Sequence, residues 1–157
     1  MTPASLTTLF VSHGAPTLPI ERGVSACEFL AGLGSRYPGI SAVPLHFCPL
    51  EHPRPAVNSE MQPATTHNFY GFAVEHYWIT YPTPGDHNLA SQVAGLMKAA
   101  GLPCNNDTGR GLDNGTWIPM VLIYPETGVP FVQFSIQGHL DPTRHLALGE
   151  ALAPLRH

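Results

Sequence analysis

Histidine is the side chain most able to do chemistry near neutral pH, as a metal ligand or as a general acid or base. This chain carries nine, at positions 13, 46, 52, 67, 76, 87, 139, 145 and 157. They form no H-x-x-x-H pair and no Cys/His spacing that would specify a metal site, and most histidines in globular domains are surface or internally satisfied groups. His13 stands apart because it follows the short apolar run LTTLFVS at 6–12 and is trailed by Gly14 and Pro16. That run reads as a buried strand, and in open α/β sheets ligands bind beyond the carboxyl ends of strands. Two other segments carry polar and aromatic groups close together. In GLDNGTW, at 111–117, Asp113-Asn114-Gly115 is good turn chemistry ahead of a helix. In TTHNFYGF, at 65–72, His67, Phe69 and Tyr70 could line an aromatic pocket, or Phe69 and Phe72 could pin the loop to the core.

These groups need elements to hold them. The apolar spacing of Val24, Cys27, Phe29, Leu30 and Leu33 predicts a helix over 24–36, ended at Tyr37-Pro38-Gly39. Residues 40–48 read as a poor strand interrupted by Pro44, and VEHYWITY at 74–81 as a third strand. Asp86 is a good cap for a helix reaching Ala100, with Gly101 beyond its end. A short helix over 116–124, a strand VPFVQFSI over 129–136 and a helix over 142–153, opened by Asp141-Pro142, complete the series. Strands alternating with helices imply a single α/β domain over 1–157 with a largely parallel central sheet flanked by helices. The chain stops directly after a helix, where the alternation calls for another strand. The expectation is a domain incomplete at its C-terminal side, with a sheet edge open to self-association.

Composition limits the partners. Hydrophobic residues make up 43% of the 157 and charged residues 11%, with a net charge of −4. No basic patch suggests nucleic acid, and no apolar run is long enough for a signal segment or a membrane span. Cys27, Cys48 and Cys104 are odd in number and widely spaced, which fits a reducing cytoplasm rather than a disulfide framework.

Taken in order, LFVSHGAPTL, RPAV at 54–57, THNFYGF, YPTPG at 81–85, GLDNGTWIPMVLIYPETGVPFVQFSIQGHLDP and HLALGEALAPLR resemble the DODA-type class III extradiol dioxygenases. The resemblance runs from residue 8 to residue 156. It implies oxygen-dependent opening of catechol-type rings at a non-haem metal, iron(II) for the chemistry and zinc in some bacterial members. The family's first metal histidine, in its S-H-G motif, falls on His13. Its second, in an S-A-H-W motif, falls on Pro49, which cannot ligate. The histidine of its G-L-D-H-G motif falls on Asn114, and its remaining ligands lie beyond the residues matched here.

The segment around Pro49 has a simple genetic reading. His46–His52 can be encoded as CAT TTC TGC CCA CTG GAA CAC. Dropping the first base gives Ile-Ser-Ala-His-Trp-Asn and the start of a threonine codon, which recovers S-A-H-W and suggests two compensating frameshifts. The resemblance implies an extradiol dioxygenase by inheritance, with a metal site so depleted that no activity, and no tight iron or zinc, is expected of this chain. Two alternatives stand beside this. One is a non-catalytic remnant or protein-binding module of the same fold. The other is a new metal site built from His13 with His46 or His52.

Overall fold

The computed structural model describes residues 6–21, 23–51, 55–139 and 141–156, with the backbone alone for 45–51 and 136. Four strands form one sheet: β1 (Val43–Glu51), β2 (Ala56–Asn58), β3 (Asn105–Asp107) and β4 (Phe131–Ile136), in the order β1-β4-β2-β3. β1 runs parallel to β4 and β2 parallel to β3, while β2 meets β4 antiparallel at Val57 and Phe134. The sheet is thus mixed, with two parallel pairs joined by one antiparallel contact.

Helices cover both faces. α1 (Ser25–Arg36) and α3 (Asn114–Ile123) lie on one side, and α2 (His87–Ala99) and α4 (Pro142–Leu152) on the other. The pleat of β4 assigns its residues to the two layers, because alternate side chains face opposite ways. Phe131 packs with Leu30, Leu33, Trp117 and Ile118. Val132 and Phe134 pack with Val57, Val93, Met97 and Leu148. A strand buried on both faces needs a nearly continuous apolar run, which VPFVQFSI supplies apart from Gln133 and Ser135.

The helices begin and end where their local chemistry directs. Asp86 and Asp141 cap α2 and α4, each accepting a backbone N–H three residues on. Gly101 ends α2 with a φ of +72°, the left-handed conformation that glycine adopts without strain. α3 is apolar all round and buried from Asn114 to Met120, as a central helix must be. α1 crosses it so closely at Gly34 that a Cβ there would overlap the Ile123 carbonyl.

Three expectations are corrected. Residues 6–12 form no strand. They have no regular structure, with Leu9 half-exposed and Phe10 fully exposed, and they are held by Leu6, whose N–H donates to the Arg156 carbonyl at 2.8 Å, and by Val11 against the core. An apolar run becomes a central strand only with ladder partners on its edges, and no described strand lies beside this one. Residues 74–81 do not form a strand either. Val74–Trp78 is a 3₁₀ helix, because the His76 N–H and ring Nδ1 both turn back to the Ala73 carbonyl, while Tyr77 packs on Phe69. β1, finally, begins and ends three residues later than expected and tolerates Pro44 because it is an edge strand of the described sheet. Its pairing with β4 is regular from Val43 to Phe47 and then breaks until Glu51. Pro49, which has no N–H to give a ladder, sits inside that break. The short strands β2 and β3 had no sequence expectation.

Candidate active site

The chemistry-bearing segments meet at the start of α3. Asp113 is the N-cap residue, with extended backbone, and its carbonyl accepts the N–H groups of Thr116 and Trp117. Its carboxylate is only 1% exposed. One oxygen accepts from Asn68 Nδ2 at 2.7 Å, and the other from Gln133 Nε2 at 2.7 Å. Arg110 contributes a longer contact of 3.4 Å to the second oxygen. Gln133 Oε1 accepts in return from the Asp113 N–H at 3.0 Å and from Thr116 Oγ1 at 2.7 Å. A buried carboxylate is tolerated only when it is hydrogen-bonded and its charge compensated. Here two short amide bonds and an arginine do so, and they tie loop 65–72, strand β4 and helix α3 to a single group.

The loop is fixed independently at its other end. The Thr66 N–H donates to the Leu112 carbonyl, the Leu112 N–H to the Ala64 carbonyl, and Trp117 Nε1 to the Thr66 carbonyl. Gly111 lies against the Ala64 carbonyl and Thr66 Oγ1 where no Cβ would fit. This close parallel approach delivers Asn68 to Asp113.

The candidate residues fall into place unevenly. His67 is half-buried, its ring 5.6 Å from those of both Phe69 and Trp117, and its Nε2 is 2.9 Å from the Ile79 carbonyl. Phe69 is buried against Phe72 and Tyr77, so it pins the loop to the core. Tyr70 is 90% exposed and outside this cluster. Asn114 opens α3, 7% exposed, and its Oδ1 has no partner among the described residues. His13 is half-buried in the loop leading to the 3₁₀ turn Leu18–Ile20, which packs on α3. It does not stand at a strand end, because the strand expected before it is absent. His52 and Arg54 lie outside the described residues, as do the side chains of His46 and Pro49.

Sequence reasoning missed Asn68, Asp113 and Gln133 as a unit. One signal was available: a glutamine in a strand buried on both faces must find a buried partner.

The profile of the family described as the catalytic LigB subunit of aromatic ring-opening dioxygenase matches residues 46–157. The chain belongs to this family. It is 37% identical to the 4,5-DOPA dioxygenase extradiol of Beta vulgaris over 95% of its own length and 57% of that protein's. It is 29% identical to the 4,5-DOPA dioxygenase extradiol of Escherichia coli, over 99% and 57% of the two chains. A crystal structure of an uncharacterized protein from Escherichia coli K12 superposes with a TM-score of 0.67 at 25% identity, covering 83% of this chain and 48% of that one. The chain spans about half the length of the curated relatives it matches.

LigB-type enzymes use a non-haem metal, and the described residues can be tested for one. No three of their His, Cys, Asp and Glu side chains come together closely enough to hold a metal ion. No such group forms around His13, and Asn114 offers an amide where the family motif has an imidazole. The described residues alone do not fit a metal around His13. No described helix is long and apolar enough to cross a membrane.

Proposed function

We propose that this LigB-family chain carries the substrate-facing part of an extradiol ring-opening site for catechol-type aromatics and molecular oxygen, and that alone it turns none over. The observation that carries this reading is the Asp113 clamp. It fastens the aromatic loop 65–72 to the start of α3, in a chain whose relatives are named as dioxygenases. In this reading His13 would supply one ligand of an iron(II) or zinc site that the described residues alone do not complete, and position 114 would lie beside the reacting ring. His67 and Phe69 form the aromatic wall, with Tyr70 at its rim. The lack of turnover follows from Pro49 and Asn114, neither of which can replace a histidine as ligand or proton carrier. A reducing, cytoplasmic setting suits Cys27 and Cys104, both of which are free thiols.

The decisive experiment compares two proteins with iron(II), oxygen and a panel of catechols. One is the chain itself. In the other, residues 46–52 read Ile-Ser-Ala-His-Trp-Asn-Thr, Asn114→His is added, and the remainder of a full-length relative is joined after Arg156. The second should give a yellow semialdehyde and the first none. Turnover by the chain itself would refute the loss of activity. A folded, metal-loaded second protein that opens no catechol would refute the ring-opening reading.

A second reading, a binding module of the same fold, is favoured by the exposed apolar side chains of Leu9 and Phe10. Such surfaces mark association sites, including self-association.

A further inference from the structure

The residues gathered at the start of α3 differ in what they can do with a proton. Asn68 and Asn114 carry amides, which do not titrate in the neutral range. Both carboxylate oxygens of Asp113 are engaged within the clamp. His67 brings an imidazole to this cluster, with one ring nitrogen that donates and one that accepts in its neutral form.

Its geometry also decides which nitrogen does each. A carbonyl oxygen only accepts, so the 2.9 Å contact from Nε2 to the Ile79 carbonyl requires the proton on Nε2. The neutral ring is then held as the tautomer with its lone pair on Nδ1. That atom makes no hydrogen bond among the described residues, and it is not one of the buried polar atoms, so a ligand can reach it. The ring cannot swing freely, since Phe69 and Trp117 flank it at 5.6 Å and the next residue, Asn68, is gripped by Asp113. A lone pair on a fixed ring, with its tautomer set by a backbone carbonyl, is the arrangement a general base requires.

We propose that His67 is the proton acceptor for a catechol hydroxyl at this site. The proposal rests on the ring-opening function proposed for the same site. The hydroxyl O–H bond breaks and an Nδ1–H bond forms. The ring oxygen keeps the electron pair as a catecholate, and the imidazole becomes a cation beside it, with no change of oxidation state. The pair stabilises the bound anion.

The test uses the chain as it stands, with ¹⁵N-labelled histidine and asparagine and 4-nitrocatechol as a coloured probe. The free protein should show His67 as the Nε2–H tautomer. At a pH where most of the free probe is neutral, bound probe should show the absorbance of its anion, and the His67 ring nitrogens should shift on binding. His67→Gln, whose amide can still donate to the Ile79 carbonyl, should bind the probe about tenfold more weakly, the scale of one charge-assisted hydrogen bond, and leave it neutral. An Nδ1–H tautomer in the free protein overturns the proposal whether or not the variant folds. So does a probe that shifts the Asn114 side-chain amide but not His67, or that ionises equally in His67→Gln; in both cases the ring-opening reading survives. A saturating probe that shifts neither residue overturns the proposal and that reading together.

Discussion

Asp113 and Asn114 are neighbours with opposite environments, and their substitutions should separate accordingly. Asp113→Ala leaves the buried Gln133 Nε2 without its acceptor, while the exposed Asn68 amide can turn to water. The unmade buried hydrogen bond and the lost contact to the partly exposed Arg110 are expected to cost about 2 kcal/mol, lowering the melting temperature by roughly 4–8 °C. Asn114→Ala removes an amide whose oxygen has no partner among the described residues, and alanine is the better helix former. It should change stability by less than about 1 kcal/mol. Urea denaturation of both variants checks the contrast, and a similar loss in both would show that the clamp carries no special weight. This contrast is legible in the sequence only in part. Asp-Asn-Gly reads as turn chemistry whatever the aspartate touches, and the partners of Asp113 lie 45 and 20 residues away. His67 and Asn114 were legible as candidates from residue type and resemblance. The carbonyl that sets the His67 tautomer was not, since backbone acceptors leave no mark in a sequence.

Elements were legible where their signals are local. The caps at Asp86 and Asp141 and the apolar spacing of α1 act within a few residues, and those helices lie where expected. The misread segments depend on distant partners. VEHYWITY has strand-forming residues, but its aromatic contacts to Phe69 and Phe72 bend its first half into a 3₁₀ turn. Its second half is an extended strap, fastened by Tyr81, whose N–H donates to Thr65 Oγ1 and whose hydroxyl donates to the Tyr124 carbonyl just past α3. Burial pushes the Tyr81 phenol well above its ordinary value of 10.0. As the pH rises past that value the unfolded chain gives up this proton first. The contribution is therefore intact below about pH 10 and is lost progressively above it. Tyr81→Phe should cost about 1 kcal/mol at neutral pH through the lost hydrogen bond. Its deficit relative to the parent should shrink as the pH rises toward about 11, because phenylalanine has no proton to lose. Thermal melts across that range read the effect, and a deficit that stays constant would mean the phenol does not govern the strap.

At the scale of the whole molecule the two edges of the described sheet are not equivalent. β3 is three residues long and polar, Asn105-Asn106-Asp107, the kind of short edge that resists pairing with another chain. β1 spans nine residues, and its prolines at 44 and 49 remove donors from the ladder, so that edge is long but partly blunted. The segment 6–12 adds a stretch without regular structure outside any described ladder, with Leu6, Leu9 and Phe10 exposed. Its described hydrogen bonds lie at one end, where Leu6 donates to the Arg156 carbonyl and accepts from Arg156 Nε at 2.7 Å, and Val11 packs on the core near the other. Exposed apolar side chains on a backbone outside any described ladder favour strand addition, which supplies hydrogen bonds and burial at once. Self-association through this segment is therefore expected to rise with protein concentration. Leu9→Ser with Phe10→Ser removes the apolar gain and leaves the Leu6 backbone contacts untouched, so the double variant should shift toward monomer without losing thermal stability. Sedimentation over a range of concentrations measures this directly. A parent chain that stays monomeric throughout would show that the open segment is not an association surface. Equal oligomerisation in the double variant would move the interface to β1, where substitutions in the backbone-pairing residues become the next test.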